Sequence, residues 1–151
     1  MNKCEEFMNL EDLDIDLGKL GKASVLPDFT EYETYLDLNE RILYLDFDIN
    51  DALVDYSRRI IRWNRQDRDI PVEERKPIKL LINSYGGSLD SCLHFIDTLL
   101  LSKTPVYTYN VGVAMSAGFY IMLAGSKRFA YPNAQFLIHS GSGGAAGTYE
   151  Q

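Results

Sequence analysis

The sequence is poor in cysteine: Cys4 and Cys92 are the only two in 151 residues. Two thiols cannot build a disulfide framework, and neither stands at a metal-type spacing from other ligands, so both are read as structural. Long apolar runs are also missing. None reaches the ~18–20 residues that a membrane-spanning helix requires, and the acidic N-terminus is unlike a signal peptide. The cytoplasm is therefore the expected location, with no membrane partner. Positive charge is in deficit as well: the net charge of −7 argues against nucleic acid as a main partner. No repeat or low-complexity tract is present, and no motif asks for a metal or a cofactor.

What the chain does contain suits one α/β domain. Its apolar and charged fractions, 46% and 25%, are those of an ordinary globular protein. The acids are concentrated early. From Asp51 onward nine Asp and Glu face eleven Lys and Arg, which leaves the body of the domain nearly neutral. Residues 1–33 are read as an acidic N-terminal segment, mobile or peripheral, and residues 34–151 as the domain proper. Within the first, Leu10, Leu13, Leu17 and Leu20 have helical spacing that Gly18 and Gly21 weaken.

In the domain proper a unit of strand, turn and helix recurs three times. Arg41 to Ile49, rich in β-formers, predicts the first strand. Asn50 or Asp51 is placed to cap a helix with apolar positions at Leu53, Val54, Ile60, Ile61 and Trp63. Asn64 to Lys76 is charged and reads as a solvated loop. Pro77 to Asn83 is nearly continuously apolar, as buried parallel strands are, and Leu89, Cys92, Leu93, Ile96, Leu99 and Leu100 follow at helical spacing. His94 and Asp97 are assigned to that helix's surface. Pro105 to Val111 is the third strand, and the apolar run Phe119 to Ala124 is read as a helix of about three turns. Lys127 to Tyr131 and Ala134 to His139 are two further strands. Such alternation implies a parallel sheet with right-handed crossovers.

In sheets of this kind, sites gather beyond the carboxyl ends of the strands. Three such ends carry suggestive groups: Gly86-Gly87, Ser116 and His139. Each has an ordinary reading too. The glycines suit a tight turn, Ser116 suits a helix cap, and His139 suits a strand edge. Their coincidence at equivalent ends favours acyl transfer. A serine hydroxyl needs an adjacent base, which His139 offers. The tetrahedral intermediate needs aimed N–H donors, and Gly87 and Ala117 are placed to supply them. Gly86 and Ser88 flank the turn as substrate-binding candidates. The stretch Gly141, Ser142, Gly143 and Gly144 is suited to pairing with an extended peptide.

Four stretches in order carry a family resemblance: Asn83-Ser84-Tyr85-Gly86-Gly87, Gly112 to Gly118, Lys127 to Ala134, and Ile138-His139 followed by Gly143-Gly144. Together they resemble the proteolytic subunit of Clp protease, from about Arg41 to the end. The resemblance implies a crotonase-type ββα superhelix, a Ser-His-Asp endopeptidase acting on unfolded polypeptide, and a homo-oligomer of stacked heptameric rings working with an AAA+ unfoldase. It matches Ser116 to the nucleophile, His139 to the base, and Gly87 and Ala117 to the oxyanion donors. Three departures stand out. Tyr85 replaces the family's turn proline. Lys79 and Leu81 stand where many members carry aromatic residues of the unfoldase-docking groove. The triad's Asp and the helix that joins the rings fall past Gln151, so the chain is expected to be an incomplete domain, inactive alone. Two other readings are an acyl-CoA enzyme of the crotonase fold, and a non-catalytic or phage-type ring or scaffold subunit.

Overall fold

The computed structural model describes residues 28–140. The expected Leu10 to Leu20 helix and the candidates Gly141, Ser142, Gly143 and Gly144 lie outside the described residues. Backbone contacts divide the chain into two units, 1–33 and 34–151. The described end of the first opens helix α1 (Phe29–Asn39), where the Asp28 carboxylate accepts the Glu31 N–H at 2.9 Å and so satisfies a donor that a helix start leaves unpaired.

The second unit alternates strand and helix: β1 (Ile42–Leu45), α2 (Leu53–Gln66), a 3₁₀ turn (Val72–Glu74), β2 (Ile78–Ser84), α3 (Leu89–Leu101), β3 (Val106–Met115), α4 (Ala117–Ala124), β4 (Lys127–Ala130) and β5 (Gln135–Leu137). All pairings between these strands are parallel, in the order β1-β2-β3-β4, with β5 also on β3. Parallel neighbours need crossovers, which α2, α3 and α4 supply. β2 occupies one edge of β3, so β4 and β5 follow one another along the other. β4 pairs with Tyr107 to Asn110 and β5 with Val113 to Met115. A turn closed by Ala134 N–H on the Tyr131 carbonyl joins them.

Register explains the core. Leu43 pairs with Leu80, Leu45 with Ile82, and Ile78 with Val106, so these side chains share one face of the sheet. That face is buried with Leu53, Ile60 and Trp63 of α2 and Cys92, Phe95 and Leu99 of α3. The opposite face is only half covered, and there Tyr109 stacks on Phe129 at 4.6 Å between centroids. β2 is therefore buried on alternate residues, not on both faces as its apolar run suggested.

Several boundaries differ from expectation for identifiable reasons. β1 ends at Leu45, because the Phe47 carbonyl is taken by the Ser84 hydroxyl at 2.7 Å and Ile49 bridges Gly87 instead. Ala52 holds the cap position of α2, and Asn50 acts two residues ahead of it, its Oδ1 accepting from Ala52 N–H at 2.8 Å. The charged stretch after Asn64 is not simply solvated. Asp67 is buried, pairs with both Nη atoms of Arg41 at 2.6 Å, and accepts from the Thr104 hydroxyl at 2.7 Å. β3 runs on to Met115, and α4 makes about two turns instead of three. Among the described residues no helix is long and apolar enough to cross a membrane.

Candidate active site

Ser116 is the hinge between β3 and α4, and its backbone lies at φ 52°, ψ −123°. This region suits glycine; a Cβ there crowds its own backbone. Neighbouring contacts hold it in place. Its N–H donates to the Leu137 carbonyl at 2.8 Å, and its carbonyl accepts the Phe119 N–H at 3.0 Å to start α4. Beneath it lies Gly86, where an added Cβ would stand 2.8 Å from the Ser116 Cβ and 2.9 Å from the Met115 carbonyl oxygen. The hydroxyl makes no capping bond, which removes the ordinary reading of this serine. Instead Oγ stands 3.0 Å from His139 Nε2.

His139 follows β5 by two residues, and its other ring nitrogen, Nδ1, lies 2.8 Å from the Ser140 carbonyl. A carbonyl only accepts, so Nδ1 carries the proton and the Nε2 lone pair faces the serine hydroxyl. This is the tautomer that a base acting on Ser116 needs. The ring is exposed, so bulk water reaches it.

The Gly86-Gly87 turn has φ values of 111° and 146°. Gly86 is buried and internally committed: its N–H donates to Ser84 Oγ at 3.2 Å and its carbonyl accepts the Ile49 N–H at 2.8 Å. These bonds build the turn. Ser88 is likewise occupied, its side chain accepting the Ser91 N–H at 3.3 Å as the cap of α3 and its own N–H donating to the Ile49 carbonyl. Gly87 is exposed. Among the described residues, neither its N–H nor that of Ala117, the first residue of α4, has an acceptor. The Ala117 donor also sits at the positive end of a helix dipole.

Sequence reading passed over the residues that brace this arrangement. Ser84 ties the glycine turn to Phe47. Asn83 Oδ1 accepts the Val113 N–H at 3.2 Å. Asn110, fully buried, links Gly112 to Gln135. Polar residues inside strands give no periodic signal, so only their partners reveal them. Below the site, the Cys92 Sγ–H donates to the Ala117 carbonyl at 3.3 Å, and burial pushes its thiol up to about 11. It is a packed thiol, as expected. Among the described residues no cluster of His, Cys, Asp or Glu is arranged to hold a metal ion.

Comparison with known proteins bears on the chain as a whole. The Clp protease family matches residues 31–151. The ATP-dependent Clp protease proteolytic subunit 1 of Mycobacterium tuberculosis is 34% identical over 114 residues, which cover 74% of this chain and 54% of the relative. Subunit 2 of Mycolicibacterium paratuberculosis is 36% identical, and subunit 1 of Mycobacterium leprae 35%, over the same shares. The chain thus spans about half the length of the curated relatives it matches. The parallel sheet, its crossover helices and these matches agree, and the acyl-CoA reading receives no support. The chain belongs to the Clp protease family.

Proposed function

We propose that the protein is a serine endopeptidase subunit of an ATP-dependent Clp-type protease, with Ser116 as nucleophile and His139 as general base. The observation that carries this reading is the 3.0 Å contact between Ser116 Oγ and His139 Nε2, made by a serine whose hydroxyl makes no capping bond. As Oγ attacks the scissile carbonyl, its proton passes to Nε2. The oxyanion that develops is met by the N–H groups of Gly87 and Ala117, which have no acceptor among the described residues. His139 then returns the proton to the departing amine, leaving an acyl-serine. A water activated by the same ring releases the acid. Throughout, the Nδ1–H needs an acceptor to keep the ring oriented; among the described residues that acceptor is the Ser140 carbonyl.

The relatives' names, each a proteolytic subunit of an ATP-dependent protease, support a subunit that works with an ATPase; we further propose a cytoplasmic homo-oligomer of stacked heptameric rings that receives unfolded polypeptide from an AAA+ ATPase. Gly141, Ser142, Gly143 and Gly144 are proposed to pair with the extended substrate.

A fluorophosphonate probe tests the centre directly. Labelling of the complete, assembled protein is expected, and is expected to vanish in Ser116→Ala. Peptide hydrolysis should fall by several orders of magnitude in His139→Ala, as when other triad members are removed. Hydrolysis surviving within about tenfold would make His139 structural and the reading wrong.

A further inference from the structure

We propose that Asn110 is a positioning residue: its amide fixes the strand that carries the base against the strand that carries the nucleophile. The proposal rests on the peptidase reading of Ser116 and His139.

Asn110 stands where β3 is least supported. On one edge it is the last residue to pair with β4, and β5 joins only at Val113. On the other, the β2 ladder breaks between the pairs Ile82–Asn110 and Ser84–Ala114. Backbone groups at such a point lack ladder partners and must find others. The Asn110 side chain supplies them. Nδ2 donates to the Gln135 carbonyl at 2.8 Å, and Oδ1 accepts the Gly112 N–H at 3.1 Å.

The first of these bonds reaches the site. β5 has three ladder residues, Gln135 to Leu137, too few to set its place firmly. At its far end, the Leu137 carbonyl accepts from Ser116 N–H; at its near end, Asn110 grips Gln135. His139 comes two residues after this strand, so any slip of β5 alters the distance between His139 and Ser116. A misplacement of about 1 Å costs on the order of 10²-fold in rate.

Two variants test this in the complete, assembled protein. Asn110→Asp keeps the shape and the Gly112 contact but sets a carboxylate oxygen against the Gln135 carbonyl. Asn110→Ser retains a hydroxyl that both donates and accepts, but it ends one bond nearer the backbone and so is too short to span both partners. For each variant that folds, kcat on a short fluorogenic peptide and the rate of fluorophosphonate labelling should fall about 10–100-fold. KM should stay within about threefold, and labelling should still reach wild-type stoichiometry. Surviving sites that react at the wild-type rate, with losses only in the folded fraction, would overturn the proposal, and Asn110→Ser decides if Asn110→Asp does not fold. Ser116→Ala separates the two levels. Labelling that persists in Ser116→Ala sinks the peptidase reading, whereas a silent Ser116→Ala beside wild-type rates in the Asn110 variants sinks only the role of Asn110.

Discussion

Ser116 occupies a backbone conformation that its own side chain opposes, and such residues are held at a cost of about 1–3 kcal/mol. Ser116→Gly relieves that strain. Urea unfolding should show the variant more stable by roughly 1 kcal/mol, with peptide hydrolysis lost. Gly87 is the converse. At φ 146° its Cα faces the Ile49 backbone, and an added Cβ would collide with the Ile49 carbonyl oxygen. Gly87→Ala should therefore lower the melting temperature and activity together, by at least about 2 kcal/mol in stability. An unchanged melting curve with reduced kcat would show that the turn tolerates the methyl and that only the oxyanion donor suffers. The serine, the histidine and the glycine pair were legible in the sequence because each follows a strand pattern. The commitments of Gly86 and Ser88 were not, since they depend on Ile49 and Ser91, whose positions no local pattern gives.

At the scale of elements, the helices α2 and α3 and the central strands were legible from their apolar spacing. The strand ends were not, because tertiary hydrogen bonds fix them. The clearest miss is Asp67, which looked like loop charge and is instead the junction of three elements. Its carboxylate, with a side chain 2% exposed, joins Arg41 before β1, the end of α2, and Thr104 ahead of β3. The bidentate Arg41 bond, against the opposing effect of burial and aided by Thr104, holds its pKa below the ordinary value of 3.8. A lowered carboxylate contributes stability that is complete above the unfolded value and is lost as pH falls through the folded one. Asp67→Asn leaves Arg41 unmatched and should cost about 3 kcal/mol at pH 7 by urea unfolding. The gap from wild type should narrow as pH drops below the ordinary carboxylate range. A gap independent of pH would mean that the ion pair contributes nothing through its charge.

For the molecule as a whole, α3 is apolar on two sides. Cys92, Phe95 and Leu99 fill the core, while Leu89, Leu93 and Leu100 are 57%, 52% and 65% exposed. An outer leucine row of this kind is suited to burial against another subunit. If the proposed ring forms, Leu93→Glu with Leu100→Glu should shift sedimentation towards smaller species while each chain stays folded by circular dichroism; unchanged sedimentation would place the contact elsewhere. The succession of β4 and β5 along one edge of β3 has a further consequence, for the timing of synthesis. The proposed nucleophile and base are 23 residues apart, and the proposed base follows the last and shortest of the described strands. A nascent chain that has already folded β3 and α4 carries Ser116 with nothing to take its proton. The proposed peptidase therefore stays inert on the ribosome until β5 has emerged and docked.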